Sequence, residues 1–187
     1  MIEETLLAER KKVLNELSFY DFQSFSLSSG YEKVLKLSEG DNNIRYCDVS
    51  YNNYDNAIKN KYYKREKLLI KIFSKMIPVT CDTFLLNYSD NWIVNKRIAP
   101  QLSKLLNTYD IRNKSRMLKI STFSEAIAFL KSILRYNSFA SFLFPAEGLV
   151  IFPTDHMDIF IFSKNYKTLN DVSNKIVGLG GYSLVNN

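Results

Sequence analysis

A chain of 187 residues with 46% hydrophobic and 24% charged residues has the composition of an ordinary globular protein, long enough to bury a core. That composition excludes intrinsic disorder, collagen-like repeats and disulfide scaffolds. Aromatic residues reach 14%, with 12 Tyr and 13 Phe against a single Trp92 and a single His156, so acid/base chemistry has few raw materials. Asn, Lys, Tyr, Ile and Phe have AT-rich codons, and base composition explains their excess without a stacking function.

The two cysteines, Cys47 and Cys81, have no second thiol or His at ligand spacing, which argues against a zinc site. The segment from Met1 to Phe19 carries Glu3, Glu4, Glu9, Arg10, Lys11 and Lys12 and lacks an apolar run, so no leader is expected. The reading is a cytoplasmic protein with free thiols. The apolar stretches, such as the one near Phe139 to Phe144, fall far short of the roughly 20 residues that cross a bilayer. No membrane association is expected.

Charge is unevenly distributed. Residues 1–55 hold 6 Lys/Arg against 10 Asp/Glu, residues 56–135 hold 16 against 5, and residues 136–187 hold 3 against 4. The net charge of +6 is therefore a property of the middle of the chain.

In chain order, Ile2, Leu6, Val13 and Leu17 share one face of an expected first helix, with glutamates near its start where the helix dipole favours them. After Phe19, Ser24, Ser26, Ser28, Ser29 and Gly30 break the pattern, and Tyr31 to Leu37 reads as a short helix. Residues 39–43 form a turn cluster, Arg45 to Val49 a candidate strand, and the stretch around Tyr51 to Tyr54 a loop. From Asn56 to Met76 an amphipathic helix places Ile58, Tyr62, Leu69, Ile72, Phe73 and Met76 on one face and Lys64, Lys67, Lys71 and Lys75 on another, ended by Pro78. Phe84 to Tyr88 reads as a strand, and Ala99 to Leu106 as a helix opened by Pro100.

Met117 to Ser121 is the next strand, and Thr122-Phe123-Ser124-Glu125 is a capping-box pattern opening a helix through Leu134. Phe139 to Phe144 is either the tail of that helix or a strand. Gly148 to Phe152 and Asp158 to Ser163 flank the turn Pro153-Thr154-Asp155-His156 as an antiparallel hairpin. Thr168 is the expected cap of the last helix, whose end is marked by Gly178, Gly180 and Gly181 before a strand at Tyr182 to Val185.

The expected fold is a single α+β domain over residues 1–187. Residues 1–110 form a mainly helical N-terminal half, and residues 116–186 form a split βαβ, ferredoxin-like antiparallel sheet. Ile127, Leu130, Val150, Ile159, Ile161, Val172 and Ile176 are expected to pack together between the C-terminal helices and one face of that sheet.

Asp155, His156 and Asp158 are the local cluster that joins an imidazole to carboxylates, and a small enzyme centred on His156 is one reading of it. Asp and His are also ordinary turn formers, and the favoured reading is a turn that supplies partner contacts. The glycines at 178, 180 and 181 follow a helix instead of opening one, so they form no phosphate loop. No catalytic residue, metal or cofactor is expected. Lys64, Lys67, Lys71 and Lys75, with Lys59, Lys61 and Arg65 beside them and Tyr62 and Tyr63 for stacking, form the alternative site, a nucleic-acid contact over residues 59–75. The strand Asp158 to Ser163 lacks the basic-Gly-aromatic pattern of an RNA-recognition module.

The segment Gly148-Leu-Val-Ile-Phe-Pro-Thr-Asp-His-Met-Asp-Ile-Phe-Ile-Phe162, followed by a capped helix, resembles strand-turn-strand regions of bacterial toxin-immunity proteins, including the partners of contact-dependent growth inhibition toxins. The resemblance covers about the last 70 residues. It implies a non-enzymatic protein that binds and occludes a cognate toxin domain inside the producing cell. The basic middle departs from the acidic surface expected for an inhibitor of a cationic nuclease.

Overall fold

The computed structural model describes residues 1–37, 56–77 and 83–186. The expected turn at 39–43, strand at Arg45 to Val49, loop at Tyr51 to Tyr54, stop at Pro78 and both cysteines lie outside the described residues.

The organising element is an eight-stranded sheet in which every neighbouring pair is antiparallel. Its strands in chain order are β1 (Ile2–Glu4), β4 (Tyr31–Leu37), β5 (Thr83–Asn87), β6 (Met117–Ile120), β7 (Ala140–Phe144), β8 (Leu149–Pro153), β9 (Ile159–Ser163) and β10 (Tyr182–Asn186). In space they run β1-β6-β5-β7-β8-β9-β4-β10. A two-stranded hairpin, β2 (Tyr20–Asp21) with β3 (Ser26–Leu27), stands apart from the sheet. The described helices are α1 (Leu7–Glu16), α2 (Asn56–Met76), α3 (Pro100–Thr108), α4 (Phe123–Leu134) and α5 (Tyr166–Asn174).

Strand periodicity divides the core into two layers. Leu35, Leu85, Leu118, Phe142, Ile151, Ile159 and Ile161 face α2, α3, α4 and α5, meeting Leu69, Phe73, Leu102, Phe129, Leu130 and Leu169. Their alternates Phe84, Leu86, Met117, Leu143, Val150, Phe152 and Phe162 face α1 and the hairpin, meeting Val13, Leu17 and Tyr20. Two covered faces explain why β7 and β8 are buried at every position and, apart from Ser141, apolar throughout. Within the helical layer, α4 packs between α3 and α2, and α5 packs against α2.

This architecture overturns the expected helical N-terminal half. Ile2 lies in an edge strand instead of on the first helix, which begins at Leu7. Tyr31–Leu37 is a strand between β9 and β10. Its Glu, Lys and Leu content suits a helix locally, but two flanking ladders and full burial of Leu35 outweigh that small propensity. The separate ferredoxin-like sheet is overturned for the same reason. β5 from the middle of the chain inserts between β6 and β7, and β4 inserts between β9 and β10, so the C-terminal strands do not form a sheet of their own.

Smaller corrections follow. Val150 packs on the face opposite Ile159 and Ile161, because its neighbours Leu149 and Ile151 take the helical side, and Ile127 is only partly buried. Asn165, not Thr168, occupies the N-cap position of α5. The capping box at Thr122 forms as the sequence indicates, with Glu125 N–H donating to Thr122 Oγ1 and the Glu125 carboxylate accepting from Thr122 N–H. Phe139 to Phe144 resolves to strand β7.

Gly30 leads into β4 with φ of +111°, and a Cβ there would stand 2.6 Å from the Ser163 carbonyl oxygen. Gly30→Ala should therefore lower stability by more than about 1 kcal/mol, read as an earlier urea midpoint at unchanged slope. An unchanged midpoint would contradict this account of the β4–β9 pairing.

Candidate functional site

Where β5, β7 and the β8–β9 turn end together, the surface forms a cleft of about 450 Å³. Three parts of the chain line it: Ser89 and Val94 after β5, Ile133 and Tyr136 to Phe139 from the end of α4 onward, and Asp155 from the β8–β9 turn. The side at Tyr136 has a local cause. α4 closes at Arg135, and Tyr136 follows with φ of +56°, the left-handed turn that ends many helices. That turn leaves the Tyr136 side chain 71% exposed.

The buried Asn137 then connects the walls. Its amide nitrogen donates to Ser132 Oγ at 2.7 Å and to the Trp92 carbonyl at 3.3 Å, while its oxygen accepts from Asn95 N–H at 2.7 Å. Ser138 Oγ donates to Ser132 Oγ at 3.0 Å. Trp92 is anchored edge-on against Phe129, with ring centroids 5.0 Å apart. A fully hydrogen-bonded amide in a buried setting holds the loop after β5 and the chain after α4 in one geometry.

An aromatic group flanks the cleft. Phe139 packs against Phe152 at 5.0 Å, Phe25 at 5.3 Å and Tyr88 at 5.4 Å between ring centroids. The first two are edge-to-face, an arrangement that stabilises beyond the area it buries. Tyr88 shares a hydrogen bond with Ser141 at 2.9 Å, and burial pushes its hydroxyl up to about 12, so it stays neutral in the physiological range. Phe139 remains 39% exposed beside Val94 at 73%.

The β8–β9 turn is held by Thr154, whose N–H donates to the Asp158 carbonyl at 2.9 Å and whose carbonyl accepts from Met157 N–H at 3.1 Å. Met157 adopts φ of +64° and buries its side chain in the helix-side core. Of the three turn residues singled out in the sequence, only Asp155 reaches the cleft. His156 Nε2 lies 3.9 Å from Asp155 Oδ1 and the imidazole faces largely outward. Asp158 is half-buried; desolvation raises its carboxyl above the usual range, against the opposing charges of Lys36 and His156. Val94, Tyr136, Asn137 and Phe139 carried no motif in the sequence, because loops from three separate parts of the chain compose the cleft.

The walls share a common anchor. Glu66 of α2 is buried and receives Arg135 Nε and Nη2 at 2.7 Å each, a bidentate pair. Arg135 also donates to the Ile98 carbonyl at 3.4 Å, tying the loop after β5 to the end of α4.

Lys64, Lys67, Lys71 and Lys75 all point outward from α2, and none meets a carboxylate among the described residues. They extend over about 16 Å of helix.

A second depression, about 510 Å³, lies at the β1–β6 edge and is lined by Glu4, Arg10, Arg112, Lys114 and Arg116 among others. Glu4 accepts from Arg112 Nε at 3.1 Å and Nη2 at 2.5 Å, from Arg112 N–H at 2.9 Å and from Ser115 Oγ at 2.5 Å. The Arg112 side chain, with help from Ser115, holds the Glu4 carboxyl at about 2 despite partial desolvation.

Among known proteins, no family model, curated protein or solved structure matches this chain. Among the described residues there is no cluster of His, Cys, Asp and Glu able to hold a metal ion, and no helix long and apolar enough to cross a membrane.

Removing one partner of the α2–α4 pair tests the anchor. Arg135→Met leaves Glu66 buried without its cation and should cost about 3–5 kcal/mol in chemical denaturation, with much of the loss recovered in the double variant Glu66→Leu/Arg135→Met. A single-variant loss below about 1 kcal/mol would remove the pair from its structural role. A second test uses pH. The folded carboxyl of Glu4 titrates below its unfolded counterpart at 4.5, so its stabilising contribution is complete above about 4.5 and is lost as pH falls toward 2. Glu4→Gln should flatten the stability profile in that window, and identical profiles for the two proteins would refute the pairing.

Proposed function

We propose that the protein is a non-enzymatic immunity protein that binds and neutralises a cognate bacterial toxin domain in the cytoplasm of the producing cell, and that the aromatic-flanked cleft is its contact surface. The observation that carries this reading is the combination of a pre-formed concavity, the exposed Tyr136, Val94 and Phe139 around it, and Asp155 at its rim. Protein interfaces concentrate energy in aromatic anchors surrounded by a polar rim, and charges at the rim contribute mainly to steering. The buried Asn137 network supports the reading further, since a rigid surface loses little entropy on binding. Within it, Asp155 contacts the partner, while His156 and Asp158 act through the shape and charge of the turn.

A second reading has its own observation. The unpaired lysine stripe on α2 suits a nucleic-acid backbone, with each lysine a phosphate contact. It ranks below the first because Lys64, Lys67, Lys71 and Lys75 lie on a convex helix face, and the neighbouring Tyr62, offered for stacking in the sequence, is fully buried with its hydroxyl on the Leu134 carbonyl.

The two readings separate in paired experiments. Tyr136→Ala and Phe139→Asp should abolish protection of cells from the toxin encoded by the adjacent gene and weaken copurification with it by at least about tenfold, while changing Lys64, Lys67, Lys71 and Lys75 together to Gln leaves protection in place. Tight nucleic-acid binding whose salt slope falls by about 3 to 4 in the quadruple variant, with no protection by the parent protein, would replace the first reading by the second.

A further inference from the structure

We propose that the depression between β1, the first turns of α1 and residues 112–116 is a binding site for a phosphate oxyanion, with Arg10, Lys114 and Arg116 as its ligands and Arg112 as a positioning residue. Ten residues line it, four of them cationic and one anionic. The anionic one is already committed. Glu4 accepts from the Arg112 guanidinium, the Arg112 backbone N–H and Ser115 Oγ, so its charge is matched within the protein. These bonds pin the segment Arg112-Asn-Lys-Ser-Arg116 against the end of β1, and Ser115 N–H closes its turn on the Arg112 carbonyl at 3.0 Å.

Three cations are left. Arg10, Lys114 and Arg116 meet no carboxylate among the described residues, and the one side-chain hydrogen bond of Arg116, to the Asn87 carbonyl at 3.4 Å, leaves most of its guanidinium donors available. Three like charges lining one concavity repel one another through water and salt, an anion seated among them relieves that repulsion, and guanidinium forks and an ammonium are donors suited to phosphate oxygens. Leu7, 67% exposed, and Met117 give the depression an apolar flank, which suits the organic portion of a phosphoester. The volume of about 510 Å³ admits a group well beyond inorganic phosphate.

This site is distinct from the aromatic-flanked cleft and from the α2 lysines. No lining residue of the depression belongs to either set. A phosphate of this kind is carried by a small phosphoester or by a nucleic-acid end, and the probes separate the two.

The experiment titrates the whole chain with inorganic pyrophosphate and, separately, with a 5′-phosphorylated single-stranded oligonucleotide and its unphosphorylated counterpart, by calorimetry and by amide shifts. Binding is expected to move the Asn113 and Lys114 amides, and to weaken by about tenfold or more in the Arg10→Ala/Lys114→Ala/Arg116→Ala variant. It should persist in the variant with Lys64, Lys67, Lys71 and Lys75 changed to Gln. Pyrophosphate binding alone assigns a small phosphate-bearing ligand, and preference for the 5′-phosphorylated strand assigns a nucleic-acid end. The substituted side chains are on the surface or partly so, and an unchanged melting temperature establishes that the triple variant folds. The proposal is overturned if neither probe binds at low salt, if chloride at equal ionic strength competes as well as the probes, or if the triple variant binds like the parent.

Discussion

The ion pair between Glu66 and Arg135 joins α2 to the end of α4. α2 is the long crossing from β4, near one edge of the sheet, to β5, near the other, and a crossing of that length needs a fixed seat. The seat is α4. Glu66 is 4% exposed, and two hydrogen bonds of 2.7 Å fix α2 against the last turn of α4. A hydrogen bond from Tyr62 Oη to the Leu134 carbonyl at 3.2 Å adds direction to the same seam. A buried charge pair contributes little net stability over an apolar substitute, but each partner makes the other obligatory. Its effect is therefore on register, placing the helix and the loop that follows α4 in one arrangement.

That arrangement carries into the cleft. Arg135 is the last residue before the left-handed Tyr136, and its guanidinium also holds the chain at Ile98, so both walls move with the pair. Beyond it, Asn137 repeats the device with neutral groups, bonding Ser132, Trp92 and Asn95 at once. The cleft thus rests on two polar cross-links set in an apolar layer. Its aromatic flank belongs to the other layer, where Phe152 contacts Phe25, Phe139 and Phe160 beneath the β2–β3 hairpin. The ends of the central strands are where the two kinds of packing meet, and a concavity forms there because loops, not strands, complete the surface.

The basic character of the middle of the chain divides in the same way between helix and edge. On α2 the lysines are spaced along a convex surface, where water solvates them and salt screens them. At the β1–β6 edge, Glu4 gathers the segment from Arg112 to Arg116 into a turn, so that charges close in sequence surround one depression. One glutamate thereby converts a run of positive residues into a shaped site.

What the sequence determined by itself lies within short spans. The capping box at Thr122 and Glu125, the β8–β9 hairpin around Thr154, the amphipathic α2 with its outward lysines and the helix opened by Pro100 all depend on residues a few positions apart, whose spacing is readable directly. Tertiary structure alone decided that Tyr31–Leu37 is a strand, that Ile2 lies in an edge strand, and that β4 and β5 separate the C-terminal strands. Each of these rests on hydrogen bonds to distant strands, such as Tyr31 opposite Ser163 and Ile2 opposite Ile120, which override a local preference of a few tenths of a kcal/mol. The cleft belongs to the same class. Asp155 was visible as a turn residue, but Val94, Tyr136 and Phe139 became a surface only when Glu66 met Arg135 across 69 residues of chain, a contact that no local pattern encodes.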